Sequence, residues 1–132
     1  MPEPKFSVPA RPNGPQSSCI FKIVARDAWD AACRAGVYNG SADDLRDGFI
    51  HLSAPHQVNG TLHKYFSAQR NLFLIAYETN SLGPELKWEV SRGGDLFPHL
   101  YAPLPTALAL WHRPLDLGPQ NHPICDEAWL KC

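Results

Sequence analysis

The sequence predicts an α+β protein with a split or bent, mainly antiparallel sheet and two helices. Two observations lead to this fold class. Segments with the apolar pattern of strands clearly outnumber the two segments with helical spacing, and these predicted strands are short. A doubly wound sheet would instead alternate long buried strands with helices of similar number.

The first part of the chain predicts a strand followed by a helix. Residues 19–24 (CIFKIV) form the strand. Asp27 is a suitable N-cap for the helix, and Gly36 is suited to end it. The apolar stripe of this helix consists of Trp29, Ala32, Cys33 and Gly36. Residues 37–46 are then predicted to be a loop, with Asn-Gly turn chemistry at 39–40.

A second strand and a second helix are predicted next. Residues 49–52 form the strand, and Ser53 resembles an N-cap with Pro55 in the first turn of the helix. The inner face of this helix consists of Val58, Leu62, Tyr65 and Phe66. Gly60 weakens the helix locally.

The remaining elements are strands. Residues 72–77 (LFLIAY) are apolar on both faces, which is typical of a central strand covered on both sides. Residues 86–90 alternate between apolar and polar side chains, and residues 92–95 (RGGD) form a tight connection. Residues 100–101 are short strand material, and residues 106–111 are predicted to be the last buried strand.

The chain of 132 residues predicts one folded body with two flanking segments. Residues 1–18 contain five prolines and few apolar residues, so we expect a disordered arm. Residues 19–118 form the single globular domain. Residues 119–132 are a C-terminal tail that either docks on the domain or trails from it.

Composition excludes several classes of protein. The formal net charge is −1 and there is no basic run, which argues against nucleic acid as a partner. No apolar stretch reaches the length that spans a membrane, and the N-terminus lacks a secretory pattern, so a cytoplasmic location is the default. The four cysteines lack metal or redox spacing and are expected to be reduced thiols; no metal site is predicted.

Two polar pairs at strand spacing predict a pocket. His51 and Ser53 are two residues apart in DGFIHLS (47–53), and His99 and Tyr101 have the same spacing in FPHLY (97–101). Side chains two apart on a strand share a face. The alternatives are a core histidine bonded to a backbone carbonyl at 51 and a helix cap at 53.

A third polar set lies on one predicted strand face. Lys87, Glu89 and Ser91 alternate with apolar residues, so they form either a solvated face or the mouth of a pocket with Glu89 as its acid. The RGGD connection at 92–95 is either a plain turn or a loop that covers a ligand through its glycine amides. It lacks the lysine and helix start of a phosphate loop.

Four short segments together resemble a bacterial family known as domain of unknown function 952. They are IFKI at 20–23, DGFIHLS at 47–53, LKWE at 86–89 and FPHLY at 97–101. The resemblance covers roughly residues 20–117. It implies a fold similar to ADP-ribosyltransferases, in which a split sheet holds NAD in a cleft.

The resemblance also implies roles for particular residues. In enzymes of that fold a histidine on an early strand contacts the nicotinamide-side ribose, and His51 with Ser53 matches this placement. A later glutamate orients the ribose and stabilises developing positive charge, for which Glu89 is the candidate. The aromatic residue that stacks on nicotinamide is Tyr65, Tyr77 or Tyr101. The fold also supports RNA 2′-phosphate transfer with NAD, for which Arg92 and His99 are candidates.

Two functions follow as expectations. The first is an NAD-dependent transferase or glycohydrolase with His51 and Glu89 as catalytic residues, and with His51, Ser53, Arg92, His99 and Tyr101 as ligand-binding residues. The second is a non-catalytic module on the same fold that binds a small molecule or a partner. The sequence gives no oligomeric state. The location of Glu89 relative to the cleft of His51 discriminates between the two functions.

Overall fold

The computed structural model describes residues 18–118 and 123–131. Three α-helices occur in these residues: α1 Arg26–Ala35, α2 Ala42–Asp47 and α3 Val58–Tyr65. The strands are β1 Cys19–Ala25, β2 Val37–Tyr38, β3 Ile50–His51, β4 Leu72–Glu78, β5 Leu86–Val90, β6 Leu96–Leu100, β7 Leu104–Pro105, β8 Trp111–Leu117 and β9 Pro123–Ile124.

The strands form separate antiparallel sheets, as the predicted α+β class with a split sheet requires. The larger sheet has the order β1-β4-β8-β9, and a smaller one has the order β3-β6-β5. β2 and β7 form a third, two-stranded sheet. A single backbone bridge between Phe21 and Ser53 connects β1 of the larger sheet with the end of β3.

The core lies on both faces of the larger sheet. Alternate residues of β4 enter two different clusters, because successive side chains of a strand point to opposite faces. Ile75 and Tyr77 pack with Trp29 of α1, whereas Leu74 and Ala76 pack on the side of α3. The prediction of a central strand covered on both sides is therefore confirmed.

The prediction of two helices is wrong, because residues 37–46 contain β2 and most of α2. α2 lacks an apolar stripe, so the hydrophobic pattern does not show it. Its signal is the capping box: the Ser41 hydroxyl accepts from the backbone N–H of Asp44 at 3.2 Å, and the Asp44 carboxylate accepts from the backbone N–H of Ser41 at 2.9 Å.

Two other local predictions need correction. Asp27 lies in the first turn of α1, but the N-cap is Ala25 and no side chain caps it. Residues 106–111 are not a buried strand: Thr106–Leu108 is a 3-10 helix, and the last long strand begins at Trp111. The apolar run misled the prediction because Leu108 and Leu110 lie on the surface.

The cysteines differ in state. Cys19 is disulfide-bonded, so the expectation of four reduced thiols is wrong for this residue. Cys33 is free and exposed on α1, although the predicted stripe included it, and Cys125 is free and buried. Spacing along the chain carries no information about which thiols meet in space.

Residues 123–131 pack on the domain. β9 pairs with β8, and the backbone N–H of Cys125 donates to the side chain of Asn59 in α3 at 3.1 Å. Leu130 is buried in the cluster beside α3. The predicted arm at residues 1–18 lies outside the described residues except for Ser18. Within the described residues, every helix is too short or too polar to cross a membrane.

Candidate functional site

A cavity of about 250 Å³ opens where the two larger sheets separate. Its walls come from β1, α2, β3, α3 and β6. Ser53 and the imidazoles of His51 and His99 line it, so three residues of the two predicted pairs meet at one place. Tyr101 and Glu89 are not among the described lining residues.

The register of the small sheet explains why the two histidines meet. His51 of β3 pairs directly with His99 of β6, and Glu89 of β5 pairs with Phe97. Directly paired residues of antiparallel strands lie on the same face. Ile50 and Leu100 face the other way, into the core. The outward face of the small sheet therefore carries His51, His99 and Glu89 together.

His51 is held between two carboxylates of α2. Its Nδ1 lies 2.6 Å from Asp44 Oδ1, and its Nε2 lies 3.0 Å from Asp47 Oδ2. A neutral imidazole has one N–H, and an ionised carboxylate only accepts hydrogen bonds. Both contacts are therefore hydrogen bonds together only in the imidazolium form. The backbone N–H of His51 also donates to Asp44 at 3.1 Å, which fixes the strand against α2.

Asp44 joins His51 to a buried lysine. Lys22 and Asp44 are 6% and 2% exposed, and Lys22 Nζ lies 3.0 Å from Asp44 Oδ2. Burial alone would raise the pKa of Asp44, but the hydrogen bond from His51 and the charge of Lys22 outweigh it and hold that pKa well below its usual range. Burial lowers the pKa of Lys22, and Asp44 opposes this shift.

His99 has a carboxylate partner of its own. It is 4% exposed, and its Nδ1 lies 2.8 Å from Glu89 Oε1. The hydroxyl of Tyr101 donates to the same oxygen at 2.7 Å. Burial lowers the pKa of His99, and Glu89 opposes this shift. Burial and the hydrogen bond to Glu89 raise the pKa of Tyr101 to about 12.

Glu89 is thus on the same sheet face as His51 but reaches the cavity only through His99. Burial would raise the pKa of Glu89, but hydrogen bonds from Tyr101 and His99 lower it overall, so this carboxylate is ionised at neutral pH. The alternative of a wholly solvated polar face does not hold for Glu89, because two side chains bind it.

Phe49 fixes the relative positions of these rings. Its ring centroid lies 4.1 Å from that of His99, 4.6 Å from that of His51 and 5.2 Å from that of Tyr101. His51 and His99 meet edge to face with centroids 5.6 Å apart. Aromatic contacts at these distances restrict ring rotation and hold the histidines in one arrangement.

Ser53 belongs to the cavity and does not cap a helix. The N-cap position is Ala54, whose backbone N–H donates to the Gln57 side chain at 2.8 Å. The Ser53 hydroxyl instead lies 3.3 Å from that of Thr61 on α3, and both residues line the cavity. The predicted cap was wrong because the N-cap lies one residue later, at Ala54, where the Gln57 side chain accepts from the N-cap backbone N–H.

The RGGD connection forms a closed turn. Gly93 and Gly94 have φ of 68° and 79°, values that favour glycine. Asp95 accepts from the Gln57 side chain at 2.8 Å and lies 3.0 Å from His56 Nε2. None of its residues with described side chains lines the cavity, which favours the plain-turn interpretation. The side chain of Arg92 lies outside the described part of the structure.

The three tyrosines considered for stacking on nicotinamide lie in different environments. Tyr65 lines the cavity from α3 and is largely exposed. Tyr77 is completely buried in the core, and its hydroxyl donates to the carbonyl of Pro105 at 3.1 Å. Tyr101 binds Glu89 beside the cavity. Among the described side chains, no three of the His, Cys, Asp and Glu type are placed to hold one metal ion.

The cavity also contains residues that sequence reasoning did not assign to a site. They include Lys22, Asp44 and Asp47, and the ring of Phe49 contacts both histidines. Lys22 carried a signal, since it is the single charged residue within a strand that is otherwise apolar. Asp44 carried another, since Ser41 and Asp44 have the spacing of a capping box.

Comparisons with known proteins agree on one relationship. Residues 23–111 match the family model described as "Protein of unknown function (DUF952)". The crystal structure of protein CC0527 from Caulobacter crescentus is 50% identical, covers 81% of this chain and 94% of its own, and superposes with a TM-score of 0.79. The solution NMR structure of the same protein is 50% identical over 80% of this chain and 90% of its own, with a TM-score of 0.73. No curated protein matches the chain.

Proposed function

The chain belongs to the DUF952 family of proteins of unknown function, and from this premise we propose that its cavity binds NAD or a related nucleotide, on which it acts as a transferase or glycohydrolase. The observation that supports this most is the pair of cavity histidines, His51 and His99, each bound to its own carboxylate. Imidazoles held by carboxylates in a partly buried cleft are typical of acid–base sites.

The volume of the cavity fits one end of the proposed ligand and not the whole nucleotide. A cavity of about 250 Å³ is below the range of about 300–1,000 Å³ in which proteins usually enclose whole ligands. We therefore assign it to the nicotinamide and its ribose, with the rest of the nucleotide lying along the outside. A split sheet with a histidine and a serine two residues on supports an ADP-ribosyltransferase-like placement.

His51 and Ser53 would contact this ligand directly. The contact of His51 Nε2 with Asp47 is at the partly exposed side of the ring, so a ribose oxygen can replace Asp47 there. Ser53 and Thr61 add hydroxyls that both donate and accept hydrogen bonds. Tyr101 contributes through Glu89, and Arg92 remains a predicted ligand residue.

A non-catalytic binding module is the second candidate, and one specific observation favours it. Glu89 does not line the cavity, although the enzyme interpretation places a carboxylate beside the developing positive charge. Stabilisation of that charge falls off with distance and with intervening groups. In this alternative the fold binds a small ligand and catalyses nothing.

An NAD titration followed by amide-resolved NMR tests the proposal. We expect saturable shifts at residues around His51 in the wild type, and their loss in His51→Ala. His63→Ala is the matched control, because His63 is an exposed histidine of α3 that is not among the lining residues. An absence of shifts at millimolar NAD would contradict the proposal. Binding without release of nicotinamide would select the binding module.

A further inference from the structure

We infer that His99 is the general base of this site and that Glu89 is its positioning residue, acting through the imidazole and not on the ligand. This inference rests on the proposed function, because it assigns the group that activates the attacking water or acceptor hydroxyl. It replaces the expected direct role of Glu89 with one that fits where the carboxylate lies.

The hydrogen bonding of His99 determines which nitrogen is available. Glu89 Oε1 accepts from Nδ1 at 2.8 Å, so Nδ1 carries the proton of a neutral ring. Nε2 then has a free lone pair. His99 lines the cavity, whereas Glu89, which binds Nδ1, does not; we therefore assign the cavity-facing position to Nε2. This is the arrangement of a base oriented by a third group.

The charged and titratable groups around His99 come from several elements. Glu89 and Lys87 face it from β5, and Tyr101 follows it after β6. The imidazole of His51 faces it from β3, and Asp47 of α2 acts from beyond His51. Burial and the charge of His51 favour the neutral imidazole, whereas Glu89 and Asp47 favour the imidazolium. The carboxylate thus helps His99 to hold a proton that it has accepted.

The proposed step conserves atoms and charge. Nε2 of His99 accepts the proton of the attacking water or acceptor hydroxyl. At the same time, the oxygen of that attacking group forms a bond to the anomeric carbon of the ribose. The bond from that carbon to the nicotinamide nitrogen breaks, and its electron pair leaves with neutral nicotinamide. His99 becomes an imidazolium beside the Glu89 carboxylate and later releases the proton to solvent. No oxidant or reductant takes part.

The tautomer of His99 tests the inference in the absence of ligand. In ¹⁵N-resolved imidazole NMR of the full chain at pH 7.5, we expect a protonated Nδ1 and an unprotonated Nε2. A ring protonated at Nε2, or an imidazolium at this pH, would overturn the inference whatever the protein does with NAD.

Variants then test the role in turnover, with nicotinamide release from NAD as the readout. We expect His99→Gln to lower kcat by roughly 100-fold or more, as is typical for loss of a general base. Glu89→Gln should lower kcat less and move the rise of kcat/KM with pH to lower pH, because removing the carboxylate lowers the pKa of His99. Glu85→Gln is the matched control, since Glu85 is exposed just before β5.

The outcomes separate the two proposals. Turnover that His99→Gln leaves unchanged, or a pH profile that Glu89→Gln does not move, would overturn this inference alone. NAD binding without turnover by the wild type would overturn the role as a base and select the binding module. An absence of NAD binding would overturn the proposed function and this inference with it, even if the expected tautomer is observed.

Discussion

Lys22 and Asp44 are buried charges that depend on each other. Each one alone would leave an uncompensated charge in the interior, which is strongly unfavourable, whereas the pair with its hydrogen bonds is tolerated. Asp44 binds four groups: the Lys22 ammonium, the His51 ring and the backbone N–H groups of Ser41 and His51. The position of the cavity imidazole therefore depends on a residue that the sequence did not mark as functional.

We expect Asp44→Asn to lower the free energy of unfolding at pH 7 by about 3–5 kcal/mol, because the buried Lys22 ammonium loses the carboxylate that lies 3.0 Å from it. Urea denaturation measures this change. Asp43→Asn is the control: its side chain is exposed, and we expect a change within about 0.5 kcal/mol. Equal effects of the two substitutions would contradict the assignment of Asp44.

The same carboxylate predicts a pH dependence of stability. The pKa of Asp44 is lower in the folded protein than its ordinary value of about 3.9 in unfolded chains. Its stabilisation is therefore complete above about pH 4–5 and is lost as the pH falls below that range. We expect the stability difference between wild type and Asp44→Asn to begin to shrink below about pH 5 and to go on shrinking through pH 3, because the loss is complete only below the depressed pKa of the folded protein. A constant difference would show that Asp44 stabilises through packing and not through its charge.

For individual residues, the sequence predicted which side chains line the cavity better than it predicted the side chains that bind them. His51, Ser53 and His99 line one cavity because strand alternation and register follow from the apolar pattern. The carboxylate of Asp44 is seven positions from His51 on a different element, and no local pattern reports such a contact. For Glu89 the predicted face is right, but its contact with His99 depends on which strands pair.

Among the elements, α2 has the largest effect on the cavity for its size. It has only six residues, and an isolated helix of this length is unstable in water. Its capping box and the contacts of Asp44 hold it in place. Three of its residues, Asp43, Asp44 and Asp47, supply carboxylates to the cavity lining.

We expect Ser41→Ala to lower the free energy of unfolding by about 1 kcal/mol through loss of the cap. We also expect faster amide hydrogen exchange in α2 and weaker NAD binding, since the cap positions the carboxylates around His51. Ser81→Ala is a control of the same chemistry: its hydroxyl donates to the carbonyl of Glu78, and Ser81 is not among the cavity-lining residues. Equal effects of both substitutions on NAD binding would contradict this role of α2.

The elements show when an apolar pattern predicts structure. β1 and β4 were predictable because their side chains enter the core on both faces of the larger sheet. α2 was not predictable from this pattern, since its stability comes from polar caps. The prediction of a strand at residues 106–111 failed for the opposite reason. The segment is apolar, but some of its apolar side chains lie on the surface and do not indicate a buried strand.

For the whole molecule, β4, like β1, contributes side chains to both core clusters. Leu74 and Ile75 are neighbours in sequence, are both fully buried and enter different clusters. A substitution that removes side-chain atoms from either cluster therefore affects the strand on which both clusters pack. The folded protein should behave as one cooperative unit and not as two independent sheets.

We expect Leu74→Ala and Ile75→Ala each to lower the free energy of unfolding by about 2–5 kcal/mol. Unfolding followed by tryptophan fluorescence and by far-ultraviolet circular dichroism should give coincident transitions for both variants. Leu45→Ala, at an exposed position of α2, should change stability by less than about 0.5 kcal/mol. Separate transitions would contradict a single cooperative unit.

The two cavity histidines are adjacent, but their carboxylates are encoded in different stretches of the chain. Asp44 and Asp47 come from α2, whereas Glu89 comes from β5. A substitution in one stretch removes a carboxylate that binds one imidazole and leaves the carboxylate of the other imidazole in place. The two halves of the site can therefore change separately in evolution or design: one histidine can lose its carboxylate while the other keeps the residue that binds it.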